Sequence, residues 1–249
     1  MSQLNQQIVI DYEYRPEYNF SNFVQTGATK VAYEAALSVA KKKGGKYNPL
    51  CIYGEKGVGK THLLMAIGNE VRSRINNAVI IYVNSKKVLT DRERAKSEFD
   101  AVSLVKDYSD VDFLLIDDID KALTNSSMDE KIFHLYNYLM QRGKHIIFAS
   151  STPPYQLKFT DLNLKTRLES GLTVKIEKMD DEDKRKVIKK LAKDFDLLIP
   201  NSVVNYILNF APRDFISLLK TVKQINRLSL EAKKKITLPF IKKALKHDF

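Results

Sequence analysis

Five short apolar runs punctuate the chain: 50–53, 79–83, 112–116, 145–149 and 172–176. Each is rich in β-branched or aromatic residues and reads as a strand. The runs are nearly continuous in apolar character rather than alternating, which is the pattern of strands buried on both faces of a parallel sheet. Helical patterns lie between them. The clearest opens at Ser127-Met128-Asp129-Glu130, a capping-box spacing, and then places Ile132, Phe133, Leu135, Tyr136 and Leu139 on one side. Strands alternating with helices predict a doubly wound α/β sheet. After Ile176 the strands stop. Asp180-Asp181-Glu182-Asp183 puts negative charge where a helix macrodipole favours it, and a helix to about Phe195 follows. Pro200-Asn201-Ser202, Pro212-Arg213-Asp214 and Leu238-Pro239 open three more helices. The expected organisation is an N-terminal extension (1–18), an α/β domain (19–178) and a small all-helical unit (179–249).

Composition narrows the class. The chain has 249 residues, 44% of them hydrophobic, which suits an α/β domain with a small appended one and excludes global disorder. No apolar run approaches the ~20 residues that span a bilayer, and no basic-then-apolar leader opens the chain. Cys51 is the sole cysteine, so no intrachain disulfide forms. These features predict a cytoplasmic protein with no membrane partner. The net charge of +11 is uneven: residues 180–249 carry 16 Lys+Arg against 9 Asp+Glu. That balance suits nucleic acid or an acidic partner, and it equally suits a solvated lysine-rich surface.

The sharpest chemical signal is Gly54-Glu55-Lys56-Gly57-Val58-Gly59-Lys60-Thr61, a complete G-x-x-x-x-G-K-[ST]. A strand precedes it and a helical pattern, His62 to Val71, follows, as a phosphate-binding loop requires. Its glycines let backbone N–H groups converge on phosphate oxygens. Lys60 is placed to reach the β- and γ-phosphates of ATP, or the β-phosphate of ADP, and the Thr61 hydroxyl to bind Mg²⁺. The acidic half of the site is Phe113-Leu114-Leu115-Ile116-Asp117-Asp118, whose carboxylates emerge at the C-terminal end of a strand, where open α/β sheets bind ligands. Asp117 is expected to hold Mg²⁺ and Asp118 to polarise the attacking water.

Three stretches carry a resemblance to a family. They are Asn22-Phe23-Val24, then Tyr47-Asn48-Pro49-Leu50-Cys51-Ile52-Tyr53-Gly54 with Gly59-Lys60-Thr61-His62-Leu63-Leu64, then Leu114-Leu115-Ile116-Asp117-Asp118-Ile119. From about Phe20 to Ala244 the chain resembles the DnaA initiator family. The resemblance implies an AAA+ P-loop fold, a five-stranded parallel sheet flanked by helices and followed by a helical lid. It adds Val24 and His62 to the nucleotide-contacting positions. Lys165-Thr166-Arg167-Leu168 before Gly171-Leu172-Thr173-Val174 looks like the family's arginine-finger segment, with Arg167 reaching the γ-phosphate of a neighbouring subunit. Ala211-Pro212-Arg213-Asp214 looks like its second sensor, with Arg213 reaching the phosphates of its own subunit. One departure stands out: Ser151 occupies a first-sensor position where the family usually has Asp. A hydroxyl there hydrogen-bonds but carries no charge, which implies slow or partner-dependent hydrolysis.

Within the family two kinds of member are in contention. The chain ends at His247-Asp248-Phe249, where the lid ends, with no room for the helix-turn-helix domain by which an initiator reads duplex DNA. It is expected to be either an initiator's ATPase core or a short regulator of the Hda type, and Gln156-Leu157, Asp181-Glu182-Asp183-Lys184 and Lys235-Ile236-Thr237-Leu238-Pro239-Phe240 resemble the latter. Hda-type proteins dock a short N-terminal peptide on the DNA sliding clamp. Gln7-Ile8-Val9-Ile10-Asp11-Tyr12 lies at the matching distance, without the expected Pro and ending in Tyr rather than Leu. The expected partners are therefore the DnaA initiator, the sliding clamp and, through an AAA+ interface, a second copy. The initiator reading adds non-specific single-stranded DNA, with the charged stretch 86–107 (Arg92, Glu93, Arg94, Lys96) where initiators insert an extra helical motif. A helicase loader is a third reading.

Overall fold

A computed structural model of the chain describes residues 17–41, 47–85, 110–123, 126–210 and 215–244. The peptide Gln7–Tyr12, the charged stretch 86–107 and Arg213 lie outside the described residues. The chain forms two compact units. One comprises the residues up to Phe23 together with Lys30–Ile176, the other Val24–Thr29 together with Glu177 onward.

In the first unit, helix α1 (Lys30–Lys41) leads to strand β1 (Leu50–Tyr53), helix α2 (Lys60–Arg74) and strand β2 (Ile80–Asn84). Strand β3 (Phe113–Asp117), the short helix α3 (Ile119–Ala122), helix α4 (Ser126–Gln141) and strand β4 (His145–Ser150) follow. A 3₁₀ turn (Pro154–Gln156), helix α5 (Leu162–Glu169) and strand β5 (Leu172–Lys175) complete the unit. The sheet has five strands in the order β2-β3-β4-β1-β5, every pair parallel.

The continuous apolar runs are explained by where alternate side chains go. Leu50, Ile52, Phe113, Leu115, Ile147 and Ala149 face α1 and α2 in one buried layer. Cys51, Leu114, Ile116, Ile146 and Phe148 face α4 and α5 in the other. Each fully buried aliphatic or aromatic side chain contributes about 1.5–3 kcal/mol, so the sheet is held from both sides. The expected strands lie within one residue of those observed. The third strand starts one residue later than the run 112–116, at Phe113, although Asp112 still donates its N–H to the Val79 carbonyl at 2.8 Å and its carbonyl accepts the His145 N–H at 2.9 Å. The Asp112 carboxylate accepts the Val79 N–H at 2.9 Å and pairs with Lys144 at 2.9 Å, clasping the starts of three strands.

The second unit contains α6 (Asp181–Asp194), α7 (Asn201–Phe210), α8 (Phe215–Ala232) and α9 (Leu238–Ala244) around a core that includes Val187, Leu191, Val203, Ile207, Val222 and Ile241. Asp180 caps α6, accepting the Asp183 N–H at 2.7 Å. The segment Val24–Thr29, expected in the α/β domain, belongs to this unit. Val24 is buried in its core, and the Asp183 carboxylate accepts the N–H groups of Gly27 and Ala28, each at 3.3 Å.

Candidate functional site

The loop 54–59 leaves β1, an interior strand, and enters α2. Two of its glycines are required by geometry. Gly54 has φ +154°, and a Cβ there would stand 2.5 Å from the Ile176 carbonyl oxygen. Gly59 has φ +111°, and its Cβ would meet the Phe23 ring at 3.0 Å. Gly59 caps α2, whose first α-helical bond, Leu63 N–H to the Gly59 carbonyl, is 3.1 Å long. The N–H groups of Lys60, Thr61 and His62 precede that bond, which makes this end of the helix an anion-binding surface.

Lys60 is buried, its ammonium donating to the carbonyls of Gly54 at 2.6 Å and Glu55 at 2.8 Å. Burial lowers its pKa, and the carboxylates of Asp117, Asp118 and Asp120 pull the other way. Asp117, the last residue of β3, is 3% exposed. Its Oδ2 accepts the Thr61 hydroxyl at 2.6 Å and the Tyr82 hydroxyl at 2.9 Å, while Oδ1 accepts the Asp118 N–H at 3.0 Å. Burial raises the Asp117 pKa, and the Thr61 and Tyr82 hydrogen bonds oppose that rise.

Sequence reasoning missed Tyr82. The register explains it: Tyr82 pairs with Leu115 and Asn84 with Asp117, so Tyr82 lies on the face of the sheet from which Asp117 projects, a pairing neither strand shows alone.

The donor set fits magnesium. Thr61 and Asp117 are adjacent hard oxygens, and this ion takes one or two protein oxygens and fills its shell with phosphate and water. Among the described residues no group of three or more His, Cys, Asp or Glu is placed to hold a metal, so the ion would depend on that partial set.

Asp118 adopts a left-handed conformation, φ +53°, and caps α3. Asp120 accepts the Ser151 N–H at 3.3 Å. Burial pushes the Asp120 carboxyl up, but Lys121 and Ser151 outweigh it and hold the group below the ordinary range. Ser151 thus stands at the C-terminal end of β4 against Asp120. The buried hydroxyl beside it belongs to Ser150, which accepts the Thr152 N–H at 3.2 Å.

The side chains of two residues expected among the nucleotide contacts are engaged within the chain. The His62 ring is taken up by Asn19 and Asn22, whose oxygens lie 3.0 and 3.1 Å from Nε2, and it stacks on Tyr18 at 4.6 Å. Only the backbone of His62 remains for phosphate. Burial lowers the pKa of this ring. Val24 has its side chain in the core of the helical unit, because an apolar residue is worth more there than beside a polar ligand.

Arg167 is on α5, and its side chain is exposed. Leu164 and Leu168 are the buried residues of that helix. Gly171 sits just beyond, and a Cβ there would come within 1.9 Å of the Pro49 carbonyl oxygen. Leu172 N–H donates to that same oxygen at 3.0 Å, which sets where β5 begins.

A five-stranded parallel sheet with a phosphate loop after an interior strand, a buried aspartate at the end of a second strand and a following helical unit define an AAA+ P-loop module. The bacterial DnaA ATPase domain family matches residues 14–175, and the Hda lid domain family matches residues 181–245. The chain belongs to the bacterial DnaA ATPase family and carries an Hda-type lid. It is 37% identical over 194 residues to the chromosomal replication initiator protein DnaA of Borreliella afzelii (strain PKo), covering 78% of this chain and 40% of that initiator. Domain III of the Thermotoga maritima initiation protein DnaA matches with a TM-score of 0.80 and 31% identity, covering 94% of this chain and 98% of that one. A replication initiator DnaA bound to AMPPCP and single-stranded DNA matches with a TM-score of 0.77 and 30% identity, over 88% of this chain and 69% of that one. The RuvB motor of Thermotoga maritima shares the fold alone, with a TM-score of 0.65 at 15% identity. Among the described residues no helix is long and apolar enough to cross a membrane.

Proposed function

We propose that this protein is a nucleotide-dependent regulator of replication initiation, which promotes hydrolysis of ATP bound by a DnaA-type initiator while docked on the sliding clamp. The observation that carries the reading is the Hda-type lid following a DnaA-type ATPase module. The chain spans 40% of the length of the Borreliella initiator, so the activity of a whole initiator does not transfer with the ATPase domain.

The chain's own residues divide the work. Lys60 and the N–H groups at the start of α2 bind the phosphates of ATP or ADP. Thr61 and Asp117 hold magnesium, which would neutralise phosphate charge. Asp118 orients water at the chain's own site, and Ser151 and Arg213 take the two sensor roles. Arg167, exposed on α5, acts on nucleotide held by another subunit, a role that elsewhere contributes ~10³–10⁵ in rate. The peptide Gln7–Tyr12 is the clamp ligand.

The test mixes ATP-loaded initiator with this protein, with and without clamp on primed DNA, and follows ADP formation. Acceleration is expected only when clamp is present, and it should vanish when Gln7 and Tyr12 are both changed to Ala. The likeness to an initiator bound to single-stranded DNA favours a second reading, an initiator core that assembles on that strand. Cooperative, ATP-dependent binding to an oligo-dT strand with no effect on initiator-bound ATP would establish it instead.

A further inference from the structure

We propose that Asp129 is a positioning residue for Arg167, anchoring α5 so that the arginine is held in place before any partner arrives. The proposal rests on the reading of Arg167 as a residue that acts in trans.

Helix α5 has eight residues. A helix that short does not persist on its own, and Leu164 and Leu168 fix only its underside. Its ends are fixed by α4. Asp129, in the first turn of α4, is 1% exposed. Its Oδ2 accepts the Thr160 N–H at 2.6 Å, the Thr160 hydroxyl at 2.7 Å and the Asp161 N–H at 3.4 Å. Asp161 is the cap of α5, its Oδ1 accepting the Asn163 N–H at 2.7 Å. One buried carboxylate therefore fixes the residue from which α5 starts.

At the other end, the Tyr136 hydroxyl lies 3.3 Å from the Ser170 hydroxyl, which itself donates to the Arg167 carbonyl at 2.7 Å. Asp129 and Tyr136 are two turns apart on α4, so a single helix face carries both anchors, ~10 Å apart along its axis. A buried carboxylate is costly unless its bonds are needed. Here three bonds converge on one oxygen, while the buried Oδ1 has no hydrogen-bond partner among the described residues. That asymmetry makes the site selectable by mutation. Asparagine can set its carbonyl in the Oδ2 position and keep the three bonds, whereas alanine removes them all.

The experiment compares Asp129→Ala, Asp129→Asn, Thr160→Val, Arg167→Ala and the double variant Asp129→Ala/Arg167→Ala. Three quantities are read: stimulated hydrolysis of initiator-bound ATP, the protein's own nucleotide-induced rise in Tm, and hydrogen exchange of the 163–168 amides. Asp129→Ala should lower the stimulated rate at saturation by about ten- to a hundredfold. The concentration for half-saturation and the nucleotide-induced Tm rise should stay within about threefold and unchanged respectively. Asp129→Asn should retain most of the rate, and Thr160→Val, which loses only the 2.7 Å hydroxyl bond, should fall between. Exchange across α5 should quicken in Asp129→Ala, since local opening there becomes easier. The double variant should be no slower than Arg167→Ala alone. Full stimulation by Asp129→Ala, unchanged exchange in α5, or an additional loss in the double variant would each overturn the proposal. An inert Arg167→Ala would instead remove the trans-acting reading, and this inference with it.

Discussion

The phosphate loop and helix α5 are built on opposite plans. The loop faces inward: Lys60 and Asp117 are buried, and the groups around them already hold one another, Lys60 on two carbonyls and Asp117 on two hydroxyls. Helix α5 faces outward, with Arg167 exposed and Leu162 on the same helix 72% exposed. The first arrangement is closed on the chain's own groups. The second has its supports within the chain and leaves Arg167 exposed. On the proposed reading, one family module combines a site for its own nucleotide with a group that acts on a partner's.

That contrast can be broken most severely at α5. Arg167→Ala is expected to lower stimulated hydrolysis of initiator-bound ATP by about 10³-fold while the affinity for the chain's own nucleotide stays within a few-fold. Lys60→Ala should do the reverse to nucleotide binding. Ligand at a hundred times its Kd stabilises a folded protein by about 2.7 kcal/mol, and thermal melting with Mg·ADP should show this rise in the wild type and lose most of it in the variant.

A smaller effect tests how far the loop's surroundings are pre-organised. Tyr82→Phe removes one hydroxyl from Asp117 Oδ2 and leaves only Thr61 on that oxygen. Chemical denaturation should show a loss of about 1–2 kcal/mol with α5 and its stimulated rate unaffected.

The smallest effect is on pH. Burial lowers the pKa of both His62 and His145 in the folded chain. As pH falls through about 6.5, where an unperturbed imidazole titrates, the unfolded chain takes up protons that the folded chain refuses. The stability carried by the neutral rings is therefore present above that pH and lost as pH falls toward the folded values. Tm should drop between pH 7.5 and 5.5, and His62→Gln should flatten part of that drop.

Much of the inward-facing site was legible in the sequence, because it is local. The glycines, Lys60 and Thr61 lie within one loop, and Asp117 follows four apolar residues that could only be a buried strand. The five strands were legible for the same reason. What the sequence hid were contacts between distant segments. Tyr82 reaches Asp117 across a strand pair, and Asp129 reaches Thr160 from another helix, 31 positions away. The segment Val24–Thr29 joins the helical unit through Asp183, more than 150 positions away, and nothing in its own composition announces that. His62 illustrates the converse: the family resemblance put it among the nucleotide-contacting positions, while Tyr18 and Asn19 engage its ring. Ser151 was legible as a position, and its N–H bond to Asp120 was not.

The central claim is that α5 acts on nucleotide the chain does not itself hold. The most direct measurement charges the two proteins differently, the initiator with γ-labelled ATP and this protein with AMPPCP, and adds clamp on primed DNA. The account predicts label released at the full stimulated rate, and no stimulated release when the added protein is Arg167→Ala. Release that waits until this protein is given hydrolysable ATP, or that proceeds equally with Arg167→Ala, would contradict it.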